Sequence, residues 1–273
     1  MSNGIGDILS KLKSKYDIDM TEVMSNEEFQ QFKVDTYNNS TGNLHEIDGY
    51  NCELCKNKGH FLVFANGYEV FQPCKCEKVR NMLRRAKQSG LGDVIKDCSF
   101  NSFEDTEEWQ KYIKQTAQNF CNDDTAKWFY IGGQVGCGKS HICTAIAAHY
   151  IKSGRDVKYM VWADEAKKLK ALVNDISYQS EIEPYKSVDI LYIDDFFKVQ
   201  AGETPTKGDI NLAFEIINHR LLNNGKITII SSEKTLDELM DYDEGTMSRI
   251  YIKAGNYKIN IAKDRNKNYR LRG

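Results

Sequence analysis

The spacing of apolar positions divides the chain into a part built of short elements and a longer part in which strands alternate with helices. Within residues 1–45, Ile5, Ile8, Leu9 and Leu12 fall on one side of a first short helix, and Phe29, Phe32 and Val34 mark a second. The polar run 38–43 breaks the pattern. Helices this short do not hold in water alone, so they pack on their own domain or on a partner protein, and the pattern leaves both open. Residues 61–71 read as a β-hairpin turning at Asn66-Gly67. A basic helical stretch follows over 77–91, with Lys78, Arg80, Arg84, Arg85 and Lys87, and it stops at Gly90. It reads first as a solvated linker helix and second as a phosphate-contacting face. Phe100, Phe103 and Trp109 lead into an amphipathic helix to about Phe120, either as plain core or bracing a nucleotide base.

From residue 127 the period changes. Strands are expected at 127–131, 156–162, 188–195, 226–232 and 257–261. Between them run a helix over 141–152, one carrying Lys167, Lys168 and Lys170, one over 209–223, and a late one containing Met247, Ser248 and Arg249. The first of these buries Ile142, Ala145, Ile146 and Ile151 on one side and stops at Gly154. Short apolar strands alternating with helices predict an α/β fold, a five-stranded parallel sheet flanked by helices. The expected division is a helical arm over 1–45, a small cysteine-rich module with its basic linker over 46–90, and an α/β domain over 91–273.

Composition narrows the class. A hydrophobic content of 41% with 28% charged residues describes a soluble globular protein. A formal charge of −2 gives no global attraction to nucleic acid, so any DNA contact must be local. No stretch is apolar enough for a membrane span, and the N-terminus carries no secretory apolar region, so a cytoplasmic location is expected. Eight cysteines in such a chain point to reduced thiols and metal ligation more than to disulfides.

The chemistry gathers in three places. Gly133, Gln134, Val135, Gly136, Cys137, Gly138, Lys139, Ser140 and His141 form a strand-to-helix turn in G-x-x-x-x-G-K-S order. Such a turn aims backbone N–H groups and a helix dipole at one point, where a triphosphate binds. Lys139 would reach the β- and γ-phosphates and the Ser140 hydroxyl would ligate Mg²⁺. The strand over 188–195 ends in Asp194 and Asp195, the first placed to hold Mg²⁺ and the second to polarise the attacking water. The next strand ends in Ser231 and Ser232, suited to sensing a γ-phosphate or orienting water, and Ser232 is taken as a catalytic candidate.

Cys52 and Cys55 form one pair and Cys74 and Cys76 a second, separated by the hairpin that would fold them together. Four thiolates around one point make a structural Zn²⁺ site, and so small a unit would draw much of its folding free energy from the metal. His60 is an alternative ligand, read here as an ordinary loop histidine.

The phosphate loop, Leu191-Tyr-Ile-Asp-Asp-Phe196, Ile229-Ile-Ser-Ser-Glu-Lys-Thr-Leu-Asp-Glu-Leu239 and Ser248-Arg249-Ile250 together resemble the DnaC/DnaI-type bacterial helicase loaders of the AAA+ class. The likeness is greatest to loaders of Gram-positive bacteria and their phages, which carry a cysteine module like 52–76 and segments like Ser89-Gly-Leu-Gly and Phe100-Asn-Ser-Phe103. It runs from about residue 50 to the end. The resemblance implies a P-loop AAA+ domain using ATP, Mg²⁺ and Zn²⁺, with a replicative hexameric helicase and single-stranded DNA as partners and self-association into a ring or spiral. It assigns Lys139 and Ser140 to Walker A, Asp194 and Asp195 to Walker B, 231–233 to the sensor 1 region, Arg249 to the arginine finger and Arg270 to the sensor 2 position. Glu233 stands where many relatives have Asn, and the chain ends soon after the fifth strand, so the helical lid of larger AAA+ proteins is expected to be missing. Two other readings remain. One is an IstB-type ATPase that assists transposition, a family that typically lacks the paired cysteines. The other is a DNA-binding adaptor that binds ATP without significant turnover.

Overall fold

A computed structural model describes residues 26–65, 67–92, 94–200, 202–223 and 225–271. The expected helix around Ile5 to Leu12, Asn66 of the hairpin turn and Arg272 of the basic tail lie outside them. The chain divides into one unit up to Arg80 and a second from Asn81. That boundary falls inside a helix, whereas the sequence pattern places boundaries near 45 and 90.

The first unit contains α1 (Asn26–Asn39), α2 (Leu44–Asp48), β1 (His60–Ala65), β2 (Tyr68–Pro73) and the first turn of α3 (Cys76–Ser89). β1 and β2 form the expected antiparallel hairpin, with Ala65 opposite Tyr68 across the turn. The second expected N-terminal helix, α1, rests on this hairpin. Asn38 donates to the Leu62 carbonyl at 2.9 Å and accepts from its N–H at 2.9 Å, so its amide satisfies an open strand edge. Tyr37 stacks on His60 and packs against Phe71, while Phe29 and Phe32 stay exposed. Among the described residues of this unit, four cysteines form a buried cluster, with Tyr50 and Phe61 packed against it. So small a cluster is a weak core on its own.

The second unit continues with α4 (Val94–Asp97), α5 (Glu108–Asn122), β3 (Trp128–Gly133), α6 (Lys139–Lys152), β4 (Val157–Val161), α7 (Trp162–Ala171), α8 (Tyr178–Ser187), β5 (Ile190–Asp194), α9 (Lys207–Leu222), β6 (Ile227–Ser232), α10 (Leu236–Ala254) and β7 (Lys258–Ile261). Its five strands are parallel in the order β4-β5-β6-β3-β7. The alternation of side chains feeds two cores. Trp128, Tyr130, Leu191, Ile193 and Ile230 face one, with Ile216, Ile217 and Met247. Phe129, Ile131, Tyr192 and Ile229 face the other, with Phe120, Ile142 and Ile146. Strands covered on both faces read as continuous apolar runs, which is why they stood out in the sequence. This is the α/β, AAA+-type architecture that the resemblance implies: a parallel sheet flanked by helices, together with a cysteine-rich cluster able to bind a metal. No described helix is long and apolar enough to cross a membrane.

Two features were hidden from the pattern. The helix α8 contains Pro184 in its interior, where proline normally breaks a helix. It holds because Ile182 and Tyr185 are buried, and because Tyr178 and Lys186 both reach Glu215, at 2.6 and 2.8 Å. Arg220 on α9 is almost fully buried and donates to the carbonyls of Val188 at 2.9 Å and Ile227 at 2.6 Å and to the Thr228 hydroxyl at 2.9 Å. It ties together the entry ends of β5 and β6. Burial pulls its pKa down to about 10, which still leaves it charged at neutral pH.

Because all five strands run the same way, the loops after β3, β5 and β6 leave the sheet at one end, where such folds bind ligands.

Candidate functional site

The buried strand β3 delivers Gly133 into the loop, and α6 begins at Lys139. Gly133 has φ of +107° and Gly136 of +72°, a region that favours glycine. A Cβ at Gly133 would strike the Ile261 carbonyl, and one at Gly136 the Asn268 amide. The loop is therefore pressed against the segment that follows β7. Gln134 strengthens that contact by accepting from the Asp264 N–H at 2.7 Å, and Tyr269 N–H donates to the Gly136 carbonyl at 2.9 Å. Cys137 is buried and its thiol lies 2.9 Å from the Gln134 carbonyl; burial raises its pKa, so it packs as a neutral group. Lys139 is buried too, with Nζ 3.1 Å from the Gly133 carbonyl and 2.6 Å from that of Gln134. His141 Nε2 lies 3.0 Å from the Ser99 carbonyl and 3.3 Å from the Ser102 hydroxyl, and its ring meets Phe103 edge-on.

The acids arrive at the end of β5. Ser140 Oγ donates to Asp194 Oδ1 at 3.0 Å, so residues expected to share a cation are in direct contact. The Ser231 hydroxyl donates to the same oxygen, and Tyr159 donates to Oδ2 at 2.9 Å. Asp195 takes φ of +54° and Phe197 of +55°, both left-handed and strained for residues with side chains. Phe196 and Phe197 stack on each other and against Trp162, which holds the turn. The Asp195 carboxylate pairs with Lys198 at 2.8 Å, and Lys198 also pairs with Glu233 at 2.8 Å. Burial disfavours the Lys198 charge, but the two carboxylates outweigh it and raise its pKa.

A cleft of about 420 Å³ joins these parts. It is lined by Ser102, Phe103, Glu104, Val135, Gly136, Gly138, Lys139, Ser140, His141, Asp195, Lys198, Glu233, Tyr269 and Arg270. Of the aromatics expected ahead of the domain, Phe103 faces this cleft, whereas Phe100 and Trp109 pack at the edge of the core. Ser232 is placed elsewhere: its hydroxyl is buried and donates to the Phe196 carbonyl at 2.8 Å. Alternation along β6 explains this, since Ser231 takes the side that meets Asp194 and Ser232 the opposite one. Arg249 is exposed on α10, hydrogen-bonded to Asn218 at 3.3 Å and stacked near Phe214, and is not among the described residues lining the cleft. Arg270 does line it.

The cleft pairs a buried ammonium and backbone amides, which suit phosphate, with hydroxyl and carboxylate oxygens, which suit a hard cation such as Mg²⁺. Sequence reasoning missed Tyr159 and Lys198. Tyr159 becomes visible only through the register of β4 on β5, in which Val161 lies opposite Asp194 and Tyr159 sits two residues back on the same face.

In the first unit, Cys52, Cys55, Cys74 and Cys76 are buried with their sulfurs all within 4.8 Å of one another. The Cys52 and Cys74 sulfurs lie 3.9 Å apart and those of Cys55 and Cys76 3.6 Å apart. Sulfurs about 2.3 Å from one tetrahedral Zn²⁺ lie about 3.8 Å apart, so the donor set fits that metal in type and spacing. Burial opposes ionisation of Cys55, yet the Gly59 N–H, 3.2 Å from its sulfur, and hydrogen bonds from the other thiols bring its pKa down to about 7. Burial pushes Cys76 up to about 12 against the pull of Arg80. Arg80 is buried and held by Asp48 at 2.6 Å and Asn57 at 3.1 Å, while Asn57 also accepts from the Cys52 N–H at 2.7 Å. The turn and the helix that carry the cysteines are thus braced around the cluster. His60 stands apart, 2.5 Å from the Tyr37 hydroxyl.

The family model described as IstB-like ATP binding protein matches residues 74–269. The chain is similar to the phage-like element PBSX protein XkdC of Bacillus subtilis, at 29% identity over 224 residues, 78% of this chain and 82% of that protein. It is also similar to the replicative helicase loader DnaC of Buchnera aphidicola subsp. Baizongia pistaciae, at 29% identity over 125 residues, 43% of this chain and 50% of that one. The crystal structure of the DnaC helicase loader superposes with a TM-score of 0.52 at 19% identity, over 63% of this chain and 100% of that chain, a likeness of fold.

Proposed function

The chain belongs to the IstB-like ATP binding protein family, and from that premise we propose that it is a Mg²⁺-dependent AAA+ ATPase that acts on DNA with a protein partner. The contact of 3.0 Å between Ser140 and Asp194, beside the buried Lys139, carries the reading. The contact joins, at the end of one sheet, the residues that this reading assigns to the two halves of a nucleotide site.

In this site Lys139 holds the β- and γ-phosphates, with the N–H groups of residues 133–141 around them. Ser140 and Asp194 would hold Mg²⁺, which would supply charge neutralisation for the phosphates. Asp195 polarises the attacking water, and Arg249 serves the site of a neighbouring copy in a ring or spiral. Arg270, at the edge of the same cleft, contacts the nucleotide from its own chain. The four cysteines would hold Zn²⁺, and its binding would supply much of the folding free energy of their unit. A cytoplasmic protein is proposed.

The family match favours an accessory ATPase of the kind that assists transposition as the partner-level reading. The paired-cysteine cluster and the similarity to replicative helicase loaders favour a second reading, the loading of a hexameric helicase onto single-stranded DNA. ATPase assays of the full chain with and without single-stranded DNA test the common core, and Lys139→Ala should abolish nucleotide binding. Wild-type affinity in that variant would remove the site assignment. Co-purification from the native cell then separates the two readings, a transposase supporting the first and a hexameric helicase the second.

A further inference from the structure

The position where Glu233 stands poses a chemical problem. A carboxylate at the mouth of a triphosphate site would repel the γ-phosphate. Here, however, Glu233 does not face the cleft alone. Lys198 bridges it to Asp195, at 2.8 Å from each carboxylate, and both Lys198 and Glu233 line the cleft together with Lys139 and Ser140. Lys198 follows a turn in which Asp195 and Phe197 are both left-handed, and its own N–H donates to the Asp195 carbonyl at 2.9 Å. The buried Phe196 and Phe197 anchor that turn, so the root of the Lys198 side chain is fixed while its ammonium stays partly exposed.

We propose that Lys198 contacts the γ-phosphate directly, with Glu233 and Asp195 holding its ammonium at the mouth of the cleft, and that it supplies the donor which Glu233 cannot. The inference rests on the nucleotide-site reading above and adds a residue to it. An ammonium held between two carboxylates is oriented before substrate arrives, and such a preorganised charge stabilises the charge that develops on the transferred group. The contact also distinguishes ATP from ADP, since only ATP brings a third phosphate within its reach.

The test separates phosphate contact from mere neutralisation of Glu233. Affinities for ADP and for a non-hydrolysable ATP analogue, and turnover, are measured for wild type, Lys198→Ala and the double variant Lys198→Ala/Glu233→Ala, which removes the carboxylate without adding a donor. If Lys198 touches the γ-phosphate, both variants keep ADP affinity within about twofold, lose most of the preference for the ATP analogue, and lose about 10²-fold in turnover. Two outcomes overturn the proposal: wild-type discrimination and turnover in Lys198→Ala, or their recovery in the double variant, which would show that Lys198 only cancels the Glu233 charge. Failure of the wild-type protein to bind either nucleotide would instead sink the site reading, and this inference with it.

Discussion

Tyr159 and Asp194, on neighbouring strands, are joined by a hydrogen bond of 2.9 Å from the phenol to Oδ2. The other carboxylate oxygen takes the hydroxyls of Ser140 and Ser231. Burial and the adjacent carboxylate push the Tyr159 phenol above its ordinary range, so it remains a donor at any working pH. The carboxylate that would hold Mg²⁺ is thus fixed from both sides.

Tyr159→Phe keeps the ring that packs at 5.0 Å on Tyr192 and removes only the donor. A partner that orients a metal-ligating carboxylate from outside the coordination sphere is typically worth about 10- to 100-fold in metal affinity, so apparent Mg²⁺ affinity should fall about tenfold or more. Nucleotide affinity measured without Mg²⁺ should stay the same. Titration of ATPase activity with Mg²⁺ checks this, and an unshifted curve would leave Tyr159 as packing alone.

The contrast between Tyr159 and Lys139 shows how far the sequence reached. Lys139, Ser140 and the glycines announce themselves because a phosphate loop is local: its spacing is set by one turn. Asp194 and Asp195 are legible for a similar reason, at the end of an apolar run. The four cysteines were legible as two short-range pairs. Tyr159, Lys198 and the opposed hydroxyls of Ser231 and Ser232 depend on which strand lies beside which, and on its register. No single segment carries that information. The helix α8 was hidden for another reason, because tertiary burial of Ile182 and Tyr185 overrides the penalty of Pro184.

The cysteine cluster should hold about one Zn²⁺ per chain, and Cys74→Ser should lose it. Because the surrounding core is so small, removal of the metal from the full chain by a chelator should unfold the first unit in a separate transition. Nucleotide binding, which rests on residues of the second unit, should persist. Metal analysis of freshly purified reduced protein, together with ATP binding before and after chelation, checks both halves. Absence of metal from that preparation would overturn the assignment.

Asp123 gives the fold a dependence on acid. The hydroxyl of Thr125, the phenol of Tyr257 and the N–H groups of Thr125 and Ala126 hold its pKa at about 2, below the ordinary 3.8. A carboxyl whose pKa is lowered by folding stabilises the native state above its unfolded pKa and loses that contribution as pH falls toward the folded value. The gap in Tm between wild type and Asp123→Asn should therefore be full at pH 7 and close between about pH 4 and pH 2. Thermal unfolding across that range measures it, and a constant gap would show that the charge of Asp123 contributes nothing.

Arg249 lies on the surface of α10 and is not among the described residues lining the cleft of its own chain, with its guanidinium 3.3 Å from Asn218. A residue placed this way serves a nucleotide only if a second copy presents its cleft there. Arg249→Ala should then leave nucleotide affinity of the chain unchanged and lower turnover by about 10³-fold, the effect typical of an arginine supplied in trans. Complementation gives the stricter measurement. Lys139→Ala binds no nucleotide but retains its arginine, whereas Arg249→Ala retains its nucleotide and lacks the arginine. Mixed, each is inactive alone, yet every junction that sets the arginine of the first against the nucleotide of the second is complete. ATPase activity should therefore reappear on mixing and reach a maximum at intermediate ratios. If the mixture stays as inactive as its components, while both variants still co-assemble with wild type, the arginine does not act across a subunit junction.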